Sequence, residues 1–428
     1  MAVLGRTNVL DSAEHRQGPA SSLLMVTHVP LRTGPGGLQI DDQTAAEISQ
    51  WLRYFDRITY MGVAEEHAGQ SSSTRWVDIA GDSAFGRCRL VALPNAYRPL
   101  QMLRALPFTR RRLREAIADH QHLCFTVGGL FGDWAAVASL EAARQGRGYA
   151  NRVDRVEGQV FREKACHGGQ LRRMATAVYA PLVERYTQYV LRQGRVALLQ
   201  GLDVFNHYRA YCADPHCTYD THTHASDFIG EADLARKRAR IVSGRPLKIL
   251  YVGRAAPMKG PGDWLDVLEG LTRQGVEFTA TWIGDGPDLA LMKDRVQASA
   301  LSGSVLLPGF MDDRETLLRS MRESDLLLYC HKTLESPRCL IEALVSGCPL
   351  VGYGTDYSRG LVAAHGGGEF AEMNDVVGLT NTVLALDRDR DRLSHLVSDA
   401  ATSGRQYSED VLFEHRARLM QTDVRPLR

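Results

Sequence analysis

Short, uniformly apolar runs alternate along the chain with longer stretches whose apolar residues recur at helical spacing. Runs rich in strand formers lie at 23–26, 57–60, 88–93, 122–127, 149–153 and 196–199, and again at 249–252, 278–283, 305–307, 326–329 and 350–353. Continuous apolarity over so few residues is what strands covered on both faces of a parallel sheet require. Between them the period lengthens, most clearly from Trp134 to Arg144 and through Trp264, Leu265, Val267, Leu268 and Leu271. This alternation predicts doubly wound α/β units. At 428 residues the chain is long for one domain and suggests two, each with its own core. The polar, alternately charged run 231–245 is the expected linker helix.

Composition adds a few constraints. With 44% hydrophobic and 24% charged residues the chain has the make-up of a soluble globular protein. No apolar run approaches the roughly 18 residues that a membrane span needs. The first twenty residues carry acidic and polar side chains with no long apolar core, so a loose tail is expected there and not a secretory signal. The eight cysteines sit in apolar contexts such as Leu123-Cys124-Phe125. That suits reduced thiols in a cytoplasm better than a disulfide framework.

The net charge of +1 hides an asymmetry. Residues 1–200 hold 25 Lys and Arg against 18 Asp and Glu, whereas the remainder holds 26 against 32. A basic first half points to an anionic partner. Arg104, Arg110, Arg111, Arg112 and Arg114 fall on one amphipathic stretch, 103–120, which could rest on the inner face of an anionic membrane. The alternative is a solvated helix end.

Candidate chemistry concentrates at the ends of the predicted strands, where open α/β sheets bind ligands. The stretch KILYVGRAAPMKG (248–260) places Arg254 and Lys259 on such a loop, and the natural ligand for two cations there is a phosphate or diphosphate. Only six of the 51 basic residues are Lys, which singles out Lys259. A helix over 336–347 has Ser336 as candidate N-cap, Pro337 at its first position and Gly347 past its end. Its N-terminus would hold an anion, with Glu335 and Glu342 able to accept hydrogen bonds from a sugar diol. In the first half, Gly36 and Gly37 form a glycine-rich turn between strand and helix, and Asp154, Arg155 and Glu157 follow another strand. The Cys- and His-rich stretch 212–224 fits no usual zinc spacing. It reads better as a connector that brings His222 and His224 near a cleft, with no metal.

The motifs GRAAPMKG (253–260), GDGP (284–287), LPGF (307–310) and ESPRCLIEALVSGCPLVG (335–352) together resemble the retaining glycosyltransferases of family four, also called glycosyl transferases group 1. The resemblance covers the second domain nearly end to end and reaches Gly36-Gly37 and the strand before Asp154 more weakly. It implies the GT-B fold, with two Rossmann-like domains facing each other across a cleft. The expected layout is a tail at 1–20, an acceptor domain at 21–215, a connector at 216–246, a donor domain at 247–405 and a C-terminal helix at 406–428 packing back on the first domain.

By the same resemblance, Arg254 and Lys259 hold the donor diphosphate, and Glu342 holds the ribose. Gly253, Gly284, Phe310, Met311, Ser336, Arg338, Cys339 and Leu340 line the donor, and Gly36 and Gly37 close over it. Glu335 and Asp154 complete the catalytic set. Glu335 and Glu342 are separated by six residues where the family usually has seven. Asp154 stands where many members have a His, and Tyr219-Asp220-Thr221-His222 replaces the usual Asn-Gly turn into the second domain.

The implied activity is transfer of a hexose from a UDP- or GDP-sugar, with retention and without a metal or other cofactor. Exopolysaccharide or lipopolysaccharide assembly on a glycan or lipid-linked acceptor is the first expectation, and a soluble small-molecule acceptor or a non-catalytic carbohydrate-binding protein the alternative. A dehydrogenase is disfavoured because no G-x-G-x-x-G opens a helix, and nothing suggests a nucleic-acid partner.

Overall fold

A computed structural model of the chain describes residues 21–65, 75–166, 169–334 and 336–422. The expected tail at 1–20, Glu335 and residues 423–428 lie outside the described residues.

The first domain contains β1 (Ser22–Gly34), β2 (Gly37–Asp41), β3 (Arg57–Ala64), β4 (Trp76–Asp78), β5 (Cys88–Leu93), β6 (His122–Thr126), β7 (Ala150–Val153), β8 (Val196–Gln200) and β9 (Pro215–Thr218). The main sheet is parallel in the order β5-β3-β1-β6-β7-β8-β9. The far end of β1 leaves it and forms an antiparallel hairpin with β2, which pairs in turn with β4.

The second domain contains β10 (Leu247–Val252), β11 (Phe278–Ile283), β12 (Val305–Gly309), β13 (Leu326–Tyr329), β14 (Leu350–Tyr353) and β15 (Gly368–Ala371), all parallel in the order β12-β11-β10-β13-β14-β15. In each sheet the winding reverses beside the first strand, between β1 and β6 and between β10 and β13. Neighbouring loops leave in opposite directions at such points and open a crevice at the carboxyl ends of the strands.

The core explains the pattern. Every residue of β13 is buried, and the helix Pro261–Arg273 turns Trp264, Leu265, Val267, Leu268 and Leu271 inward against the sheet. Each such side chain contributes about 1.5–3 kcal/mol by leaving water.

Three features differ from expectation or go beyond it. The turn at Gly36-Gly37 joins two strands, not a strand and a helix, because β1 continues through polar residues to Gly34. The helix Asp42–Trp51 then starts at Asp41, whose carboxylate accepts from Thr44 N at 2.9 Å. The first sheet takes in β9, so it extends to Thr218, past the boundary expected at 215.

The helix Glu409–Gln421 lies on the first domain, with Phe413 edge-on to Trp51 at 4.7 Å and the buried Arg416 guanidinium over the Phe413 ring at 4.2 Å. Cys88, Cys124, Cys212, Cys217, Cys330, Cys339 and Cys348 are free thiols. Among the described residues no helix is long and apolar enough to cross a membrane.

Candidate active site

The crevice between β10 and β13 is built by close approach of backbones. Gly260 ends the single turn Pro257–Lys259 at φ +65°, and a Cβ there would stand 2.1 Å from the Cys330 carbonyl oxygen. At Gly284 a Cβ would meet the Gly253 oxygen at 2.0 Å, so the loops after β10 and β11 lie against each other only because this position is glycine. This packing carries the exposed Arg254 and the half-buried Lys259 at the strand ends.

Beneath Lys259, the buried His331 at the end of β13 shares a 2.7 Å hydrogen bond with the Tyr251 hydroxyl. Burial, reinforced by the Lys259 charge, holds His331 well below the usual imidazole range, so the floor under the lysine is uncharged.

The expected nucleotide side lies around the helix Arg338–Val345. Its N-cap is Pro337, which makes no side-chain capping bond. Ser336 is therefore not the cap, and its hydroxyl donates to the Gln200 carbonyl of the first domain at 3.2 Å instead. Arg338 likewise reaches Gln43 of the first domain at 2.8 Å. Leu340 is a core residue and Cys339 is half-buried, so neither offers an open side-chain surface. Phe310, after β12, is 62% exposed and Met311 half-buried.

Glu342 is held by a residue that the sequence did not single out. Arg314 donates to Glu342 Oε1 at 2.9 Å from one nitrogen, and from another to Asp227 Oδ2 and the His222 carbonyl, each at 2.9 Å. The expected ribose carboxylate is thus pinned to the connector between the domains.

On the first domain, Gly36 N donates to Asp78 Oδ2 at 3.1 Å, so this turn is braced by a carboxylate rather than left open to an anion. Asp154 sits after β7, where Arg152 binds it at 2.9 Å and also pairs with Glu47. Asp220 of the connector lies 3.9 Å from both Arg152 and Arg416. Burial works to raise its pKa, but Arg152, Arg416 and Arg338 outweigh that and keep it below the usual carboxylate range.

The His222 backbone joins this network through Arg314, but the His222 and His224 rings turn elsewhere. They lie at the seam with the C-terminal helix, within 3.3 and 3.5 Å of the Glu409 carboxylate. Among the described residues no group of three or more His, Cys, Asp or Glu could hold a metal ion.

The arginines expected at a membrane are mostly engaged within the domain. Arg110 and Arg114 bind the buried Glu141 at 2.6 and 3.0 Å, Arg112 donates to the Ala92 carbonyl, and Arg111 lies 3.5 Å from Glu115.

Two domains, each with a parallel sheet whose winding reverses beside its first strand, make up the GT-B fold. Residues 235–402 match the model of the family described as glycosyl transferases group 1. It is 27% identical over 177 residues to 2-deoxystreptamine N-acetyl-D-glucosaminyltransferase of Streptomyces fradiae, covering 40% of this chain and 41% of that protein. It is 28% identical over 134 residues to alpha-D-kanosaminyltransferase of Streptomyces kanamyceticus, covering 30% and 34%. The chain thus spans less than half the length of these relatives. Among solved structures, Anabaena HepE in complex with UDP superposes with a TM-score of 0.64 at 14% identity, over 92% of this chain and 98% of that one.

Proposed function

We propose that the protein transfers a sugar from a nucleotide diphosphate donor to a hydroxyl of a small-molecule acceptor, with retention at the anomeric carbon and without a metal ion. What supports this reading most is strand order: Arg254 and Lys259 follow β10, the helix Arg338–Val345 follows the neighbouring β13, and Glu342 lies on that helix. Cleavage of the bond between the anomeric carbon and the diphosphate oxygen builds negative charge. Fixed cations and helix N–H groups stabilise that charge without reorganising. The acceptor oxygen bonds to the anomeric carbon on the face that the diphosphate leaves, and its proton passes to the departing phosphate oxygen. No covalent nucleophile is assigned. Asp154, already bound to Arg152, serves better to orient the acceptor than to attack.

The small-molecule acceptor is favoured by the Streptomyces fradiae relative, which is named for 2-deoxystreptamine. A membrane-borne acceptor loses support because Arg110, Arg112 and Arg114, three of the five arginines proposed to meet the lipid, bond to partners within the first domain. Incubation with a panel of UDP-, GDP- and dTDP-sugars, with NMR of the product's anomeric proton, tests the reading. A product with the donor's anomeric configuration supports it, and an inverted product contradicts it.

A further inference from the structure

A cavity of about 990 Å³ opens beside the Pro257–Lys259 turn, and none of the donor residues named above lines it. Its walls are mainly apolar, from Met258, Leu265, Leu291, Met292 and Leu334 of the second domain and Val160 of the first. Leu291 is 70% and Met258 41% exposed, a large apolar surface for a protein to leave in water. Polar groups also line it: Arg155, which pairs with Glu157, Lys332, which binds Asp263 at 2.7 Å, and Asp288, Arg295 and Thr333. The volume suits one small organic molecule. Because Ala256, Met258 and Gly260 flank Lys259 in sequence and line this cavity, its occupant would adjoin the diphosphate loop.

Resting on the glycosyltransferase reading, we propose that this hollow receives the apolar body of the acceptor. The acceptor is therefore an amphipathic molecule, an alcohol or phenol on an aromatic or aliphatic frame. The frame lies against Met258, Leu291 and Met292, and the hydroxyl reaches past the Lys259 turn to the donor sugar. Desolvation of the frame supplies the binding energy, and the bridging of both domains by Val160 and Arg155 couples acceptor binding to cleft closure.

The test uses the apolar fluorescent anion 1-anilinonaphthalene-8-sulfonate as probe and two variants placed where the fold tolerates change. Gly262 lines the cavity, and a Cβ there meets nothing within 4 Å, so Gly262→Trp introduces a bulky ring beside it with no clash at Cβ. Leu291→Glu puts a charge on its exposed wall. Wild type should bind the probe saturably, and each variant should weaken binding by at least about tenfold. Stabilisation of the fold by UDP or GDP, read in the same proteins, should be unchanged by either substitution. The proposal is overturned if wild type shows no saturable binding, or if the three titrations superimpose. Absence of any nucleotide stabilisation in all three proteins would instead fault the donor reading, leaving the cavity result to stand by itself.

Discussion

Arg314→Ala should weaken nucleotide binding by loosening a carboxylate, even though Arg314 is assigned no contact with the ligand. In the folded protein its guanidinium bridges Glu342 and Asp227 at 2.9 Å each and caps the His222 carbonyl. A hydrogen bond to a charged group is worth about 1.5–3 kcal/mol. Arg314 is 38% exposed, so solvent screening reduces the combined stability loss to about 1–3 kcal/mol. If the untethered Glu342 loses one charge-assisted bond to the ribose, the nucleotide Kd rises about 10–100-fold. Calorimetric titration with whichever nucleoside diphosphate binds wild type gives the number, and the 2′,3′-dideoxy nucleotide provides the control. Without ribose hydroxyls the two proteins should bind that control almost equally. Arg314→Lys keeps the charge but not the fork and should fall between wild type and Ala. Unchanged affinity for the ribonucleotide, or an equal loss for both nucleotides, would refute the coupling of Arg314 to the ribose through Glu342.

Three further outcomes follow from the same geometry. Arg254→Ala and Lys259→Ala should each lower kcat at least about a hundredfold with the fold intact, since losing one charge-stabilising donor costs about 2.7–4 kcal/mol; near-normal turnover in both would remove them from the site. Turnover should persist in EDTA, and a complete loss restored by Mg²⁺ or Mn²⁺ would contradict a metal-free mechanism. Burial works to raise the pKa of Glu141, but Arg110 and Arg114 outweigh it and hold the carboxyl below its ordinary value of 4.5. A carboxylate depressed in the folded state stabilises above its ordinary pKa and loses that contribution as pH falls through the folded value. Denaturant unfolding of Glu141→Gln should therefore show about 1–3 kcal/mol less stability at pH 7 than wild type, the gap closing below pH 4; a gap independent of pH would show that the ion pairs do not supply it.

How far the sequence reached depended on whether a feature was local. The long apolar strands and the helices around Trp134 and Trp264 were legible because burial on both faces, or on one stripe, writes itself into neighbouring residues. The short strands β2, β4 and β15 were not, because three to five residues without a continuous apolar run carry no such signature. Ser336 has the right residue type for a cap, but the helix starts one residue later, at Arg338 with Pro337 as N-cap, and the Ser336 hydroxyl donates to the Gln200 carbonyl across the cleft. The run of arginines at 110–114 looks like a free basic face until Glu141 folds beneath it from 27–31 residues away. Arg314 could not be found by spacing at all, since its carboxylate partners lie 28 and 87 residues distant. Arg254 and Lys259 were legible because strand, loop and helix start are contiguous there, so their positions at the crevice follow from local order.

The most direct measurement is thermal unfolding of wild type and of the Arg254→Ala/Lys259→Ala double variant with UDP, GDP, ADP and dTDP in turn. A ligand at 100 times its Kd adds about 2.7 kcal/mol of stability. At least one diphosphate should raise the wild-type Tm by several degrees, and the double variant, unchanged in Tm without ligand, should lose most of that shift. If no diphosphate stabilises wild type, or if the double variant is stabilised equally, the crevice between β10 and β13 is not a nucleotide-sugar site.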